Sequence, residues 1–322
     1  MWGEFGVASS SAVLTAAPKR DCSRECMTNI VTEILQSMES NNPYNLPLAQ
    51  EYRATENSHP AALGMMTLWR TVTKASPPNL LAIHMTTGSA YFALDIIEGN
   101  AQKQSVLWAR IKVIHQQITE LELYINRSRG DHGFSFSPEE LPTNYARWMS
   151  PPPNRQIANR TELESLSAAT FNPSYNFLVT IASNCQFTEE GWSVIDPGPD
   201  GNGSCTPLGC SWPAVRPTDM NARLNLGVDG VMGIVVTGAV VQGKVYPYGK
   251  ISAFIPDIMT TSQEEQDEWL RVKKEEGARG LLAPSNVTGE TLQVLQYYDA
   301  QLQGQQVMLY LSGPDMKSVW VD

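Results

Sequence analysis

Residues 41–58, NNPYNLPLAQEYRATENS, and residues 171–191, FNPSYNFLVTIASNCQFTEEG, follow one order of features. Each has Asn-Pro, then Tyr-Asn, then an apolar pair, and further on Thr-Glu. A chain that repeats a phrase at this spacing is constrained to fold as two copies of one unit. At 322 residues it has the length for that, given about 150 residues per domain.

The neighbourhoods of the two phrases repeat as well. Before the first, Met27, Ile30, Val31, Ile34, Leu35 and Met38 recur at helical spacing, and Asn41-Asn42-Pro43 ends the helix. After it come a short helix within 63–73, a Pro77-Pro78 break, and strand-like runs at 80–86, 90–97, 105–113 and 118–125. In the third run Leu107, Ala109, Ile111 and Val113 alternate with Trp108, Arg110 and Lys112. In the fourth, Leu121, Leu123 and Ile125 alternate with Glu120, Glu122 and Tyr124. One face is greasy and calls for helices to cover it.

Before the second phrase, Thr161 and Glu164 have capping-box spacing at the head of a helix carrying Leu163, Leu166 and Ala169. After it come a Gly/Pro-rich loop at 196–210 and strands expected at 230–241, 244–255, 290–302 and 305–311. Within 256–289 lies a charged insertion whose helix, 262–277, opens on a Ser262/Glu265 box. The reading is an α+β chain in which a leader or extraneous tail (1–20) precedes a first unit (21–126). A Pro/Gly-rich linker (127–160), which packs through Phe134, Phe136, Tyr145 and Trp148, leads to a second unit (161–322).

A net charge of −10 with no basic stripe argues against nucleic acid, and no apolar run is long enough for a membrane span. Clustered cysteines (Cys22, Cys26; Cys185, Cys205, Cys210) beside sequons at Asn126, Asn159, Asn202 and Asn286 favour the secretory pathway or an extracellular site. A cytoplasmic protein with chance sequons is the alternative. The weak n-region of residues 1–18 does not make a good signal peptide, and Lys19-Arg20 could be a dibasic processing site. Cysteine spacings of x3 and x4 without nearby histidine make zinc a poor account, and no nucleotide or hydrolase motif is present, so no cofactor is expected.

Four stretches carry a resemblance: DCSREC at 21–26, LPLAQEYRATENS at 46–58, ASNCQFTEEG at 182–191 with Cys210, and TLQVLQYYDAQLQGQQVMLYLSGP at 291–314. The chain resembles fungal proteins built from two tandem SnoaL-like (nuclear-transport-factor-2-like) cones, each a curved antiparallel sheet wrapped around helices. The resemblance spans residues 21–314; the charged insertion and the weak leader depart from it. It implies a cofactor-free cyclase or isomerase, pericyclases of Diels–Alder or hetero-Diels–Alder type included, acting on a small apolar natural-product intermediate. A non-catalytic carrier of such a metabolite is the alternative. Disulfides Cys22–Cys26 and Cys185–Cys210 are expected, and a homodimer is possible.

For such chemistry the candidates in the first unit are His84, Tyr52, Glu56 and His59, with Asn57, Trp69, Tyr91, Trp108 and Arg110 around the substrate. Trp192, Arg223 and Tyr246 are the counterparts in the second. Arg110 points either to a pocket or to the other cone, with the interface favoured. Two cones allow two pockets, one working pocket or one at their seam; TENSH against the cysteine-tethered TEEGW places the working pocket in the first.

Overall fold

The computed structural model describes residues 22–127, 136–172, 174–175, 177–193, 195–196, 206–207, 210, 217–248 and 251–320. The 1–20 leader, Phe134, Asn202 and most of the 196–210 loop lie outside them. The first half has α1 (Arg24–Glu39), β1 (Leu48–Glu56), β2 (His59–Pro60), α2 (Leu68–Thr71), β3 (Val72–Ala75), β4 (Leu80–His84), β5 (Ser89–Glu98), β6 (Lys103–Ile114) and β7 (Gln117–Asn126). A helix α3 (Leu141–Met149) leads to the second half. There lie α4 (Arg160–Phe171), β8 (Ile181–Glu189), β9 (Trp192–Ser193), the small β10 (Ile195–Asp196) and β11 (Thr206–Pro207), β12 (Arg223–Asp229), β13 (Ile234–Tyr248) and β14 (Ile251–Pro256). α5 (Thr260–Glu275), β15 (Ser285–Tyr298) and β16 (Gln301–Ser312) complete it.

Two seven-stranded sheets result, in the orders β2-β1-β7-β6-β5-β3 with β4 on β5, and β12-β13-β15-β16-β8-β9 with β14 on β13. The chain is thus α+β, with two curled sheets and few helices. The sheets are mixed rather than wholly antiparallel: β1 runs parallel to β7, and β8 parallel to β16. The repeated phrase is the exit of a helix followed by this parallel strand and a tight hairpin. At the hairpin, Asn57 and Ser58, or Glu190 and Gly191, take positive φ. Asn57 N–H donates to Leu123 O and Asn57 Oδ1 accepts from Ile125 N, both at 2.8 Å. Glu190 repeats this against Val307 O (3.2 Å) and Leu309 N (3.4 Å).

Alternation on β6 and β7 sets the layers. Leu107, Ala109, Ile111, Leu121 and Leu123 face α1, whose Met27, Ile30, Val31 and Ile34 fill the inside of the first sheet. Trp108 and Tyr124 face the other way and join Tyr91, Ile234, Val236, Leu292, Val294 and Met308 in a core shared by both sheets. α3 lies in that core through Leu141, Tyr145 and Trp148, so part of the expected linker is a helix; Pro142 is tolerated because it falls in the first turn. Asp229 straps the halves further, accepting from Arg24 Nη2 (2.7 Å) and Ile83 N (2.9 Å).

Other expectations shift. The box heading α4 is Asn159/Glu162, two residues before the expected pair, because Asn caps as well as Thr does. α5 starts at Thr260 without a side-chain cap, so Ser262 lies inside the helix. β13 runs unbroken through Gln242-Gly243, where a turn was expected, because β15 pairs with it there as Gln242↔Thr288 and Gly243↔Val287. Both expected disulfides are present, Cys22–Cys26 and Cys185–Cys210. Among the described residues no helix is long and apolar enough to cross a membrane. The two disulfides fit a secreted protein.

The sequons separate by burial. Asn159 and Asn286 are exposed, and Asn159 caps α4 through Oδ1, leaving Nδ2 for a sugar. Asn126 is 1% exposed at the end of β7, so its expected glycosylation is corrected: a glycan there would have to be buried in a strand. After secretion from a eukaryotic host, enzymatic deglycosylation in heavy-oxygen water is expected to label Asn159 and Asn286 and to leave Asn126 unlabelled.

Candidate functional site at the seam

Register on the first sheet places charges in rows on its outer face. Ser89 opposes Lys112, which opposes Glu120; Tyr91 opposes Arg110, which opposes Glu122. Moving along β6, Trp108 is in apolar core, Arg110 in an ionic cluster, and Lys112 half-exposed. From the second sheet Arg223 reaches across to the same cluster. It passes over Gly238, where a Cβ would come within 2.9 Å of Arg223 Nη2, so glycine leaves the guanidinium its path.

Glu122 is fully buried and accepts from Arg110 Nε (2.8 Å), Arg223 Nη1 (3.0 Å), Arg223 Nη2 (2.5 Å) and the Tyr124 hydroxyl (3.1 Å). Burial alone would raise its pKa; the charges of Arg223 and Arg110 overcome that and hold it at about 2. Arg110 Nη2 also donates to Glu120 (2.7 Å). Behind Tyr124, Ser58 Oγ lies 3.2 Å from the phenol oxygen and in short contact with Glu290, which also accepts from Ser312 at 3.3 Å. Burial raises the Glu290 carboxyl above its ordinary value. One serine hydrogen serves one neighbour at a time, so a protonated Glu290 lets the chain Glu290, Ser58, Tyr124, Glu122 run with every donor paired.

In front of this cluster lies a cavity of about 350 Å³, lined by Arg110, Lys112, Glu120, Arg223, Asn225 and Trp320 among others. The Trp320 indole stands among three guanidinium groups, with Arg110 at 5.0 Å, Arg53 at 5.5 Å and Arg223 at 6.0 Å from the ring centre. Arg53 Nη1 also donates to Val319 O (3.2 Å). Asn225 has φ of 56° where the β12–β13 register slips between Arg223 and Gly227; such bulges re-aim side chains beside sites. Apart from Arg53, three cations (Arg110, Lys112, Arg223) here meet two carboxylates (Glu120, Glu122).

Of the residues expected at a site, Arg110 and Arg223 come together here, and Arg110 faces the other half. Tyr91 and Trp108 lie nearby in the shared core, where Tyr91 donates to Gln306 (3.1 Å) and Trp108 meets Tyr145 edge-on. The others lie apart. Trp69 is inside the first sheet, donating to Ser37 Oγ (2.9 Å). Both Glu56 oxygens accept from α2 and the residue before it: Thr67 N (3.0 Å), Thr67 Oγ1 (2.5 Å) and Leu68 N (2.9 Å). Tyr52 is exposed, Asn57 closes its hairpin, and exposed His59 meets the Tyr310 ring edge-on. His84 is 2% exposed, and among the described residues neither ring nitrogen meets a partner in good hydrogen-bond geometry. Burial and the Arg160 charge lower its pKa, outweighing the nearby Asn225 backbone. Trp192 is half-buried in the β9 hairpin, and Tyr246 is buried with Ile255, Trp269 and Leu270 beneath α5. Inside the first unit, where a pocket was expected, α1 packs against the sheet through Met27, Ile30, Val31 and Ile34.

Sequence reasoning passed over Lys112, Glu120, Glu122, Asn225 and Trp320 as site residues. A signal existed for the first three: charges alternating on facing runs of an otherwise apolar sheet. Trp320 reaches the cavity from beyond β16, and no local pattern announces that. Among the described residues no group of three or more histidines, cysteines or acids is placed to hold a metal ion.

The fold and site define an α+β chain with two curled sheets and a cationic cavity between them. No known family model matches it, and no curated protein matches it. Among solved structures, a de novo designed protein with a curved β-sheet is similar over 32% of this chain and 88% of its own. Identity is 12% and the TM-score 0.27, too slight to carry an argument.

Proposed function

We propose that this chain is a non-catalytic binding protein for a small organic anion, held at the seam of two SnoaL-like units spanning 21–126 and 161–322. The observation that carries this is the cavity itself, whose wall carries Arg110, Lys112 and Arg223 with Glu120, in front of the buried Glu122 and beside an indole face. Guanidinium groups already fixed by Glu122 present their remaining face without reorganisation, which favours a planar carboxylate. A volume of about 350 Å³ suits a single-ring molecule. The repeated helix, parallel strand and hairpin support the tandem reading. The cyclase, isomerase or pericyclase reading is less well supported, because Tyr52, Glu56, His59 and His84 do not converge on one cavity.

Calorimetric titration with 4-hydroxybenzoate and its methyl ester tests this. The carboxylate is expected to bind, more weakly as salt is added, and the ester not to bind. Lys112→Gln, which removes a half-exposed charge, is expected to weaken binding about five-fold. Equal binding of acid and ester, or of neither, would sink the reading.

A further inference from the structure

A second cavity, of about 530 Å³, is lined by Asp219, Asn221, Gln242, Met316, Lys317 and Ser318, with Val240. The chain links the two linings: Asn221 of the second lies two residues before Arg223, which lines the seam cavity. On the opposite wall one segment serves both, since Met316, Lys317 and Ser318 face the second cavity and Trp320 the first. That segment follows β16 without regular structure. Its attachments include Met316 N to Thr288 Oγ1 (3.0 Å), Arg53 to Val319 O, and the stacking of Trp320 on arginines. It belongs to neither sheet.

The two cavities differ in chemistry. The seam cavity offers guanidinium groups and an indole face. The other offers amides, a hydroxyl and an amine from Asn221, Gln242, Ser318 and Lys317. Asp219 is engaged in holding the turn, accepting from Asn221 N and Val240 N at 2.8 Å each. Amide and hydroxyl groups around an open volume, with one ammonium donor beside them, suit hydroxyl groups, which both give and take hydrogen bonds. We infer that the two cavities are subsites of one groove, whose ligand is an aromatic carboxylate bearing a hydroxyl-rich extension, such as a glycoside. This rests on the seam reading above and extends it: the acid end lies at Arg110 and Arg223, and the extension passes under the 316–320 segment towards Asn221.

A matched pair of probes, titrated into the full chain, tests it: 4-hydroxybenzoate and 4-(β-D-glucosyloxy)benzoate. The glucoside is expected to bind about ten-fold more tightly. In Asn221→Ala, a change at an exposed turn residue, that advantage is expected to fall below about three-fold. If the glucoside gains nothing over the simple acid, or if Asn221→Ala keeps the full gain, the groove is two unrelated cavities and the inference is overturned while the seam reading stands. If neither probe binds, the seam reading falls and the inference with it.

Discussion

Replacing Glu122 by glutamine is expected to cost about 3–5 kcal/mol of folding stability at neutral pH. The side chain keeps its shape, so the loss is electrostatic: two guanidinium groups at 2.5–3.0 Å remain in the seam without their carboxylate. The effect carries its own pH signature. Glu122 ionises at about 2 in the fold against an ordinary value of 4.5, so the folded pKa is depressed. Its contribution, on the order of 3 kcal/mol, is therefore complete above pH 4.5 and lost as pH falls towards 2. Urea unfolding of wild type and variant across pH 2–7 should show the difference closing over that window. A difference below about 1 kcal/mol, or one unchanged by acid, would refute the assignment of Glu122 as the charge that holds Arg110 and Arg223. Glu290 acts in the opposite sense: its raised pKa gives stability at low pH that is lost as pH rises through its folded value.

Truncating Trp148 to alanine is expected to cost about 3–5 kcal/mol. The ring is fully buried between the sheets, meets Tyr145 edge-on at 5.8 Å and donates to Gln186 (3.2 Å). It lies directly on Gly304, where an added Cβ would be 2.5 Å from Cζ2 and 2.7 Å from Cε2. Gly304→Ala should thus be destabilising alone, because a packed indole does not give way easily. Combined with Trp148→Ala it should cost almost nothing further, and denaturant titration of the four proteins measures that coupling. Additive losses would show that the glycine is required for some reason other than the indole.

What could be read from the sequence was whatever repeats at short range. Leu107, Ala109 and Ile111 betray a strand because successive side chains take opposite faces, and Met27 to Met38 betray a helix by their period. The repeated phrase counts the sheets for a similar reason: the hairpins Asn57-Ser58 and Glu190-Gly191 need special backbone angles at the same place. The inner face of the first sheet was read as covered by helices, and α1 covers it. What failed to show depends on contacts far apart in the chain. α3 hid among prolines because its reason for being helical is the apolar seam it fills, not its own propensity. Arg223 meets Glu122 across 101 residues, and Trp320 meets Arg110 from beyond the last strand. Glu56 looked chemical because a carboxylate near a turn has no visible partner in one dimension; its partners, Thr67 and Leu68, lie at the start of the next helix.

The hairpins have one more implication. Ser58, at the tip of the first, reaches into the other half to touch Glu290, while Gly191, at the tip of the second, sits against Ser137 and Leu141 of the intervening chain. Each copy thus closes its own sheet with a turn whose far side is lodged outside that copy. Pulling the halves apart would strip Glu122 of Arg223, Glu290 of Ser58 and Asp229 of Arg24 and Ile83, and bare the shared apolar face at the same moment. The two halves are therefore expected to unfold together, in one transition rather than two.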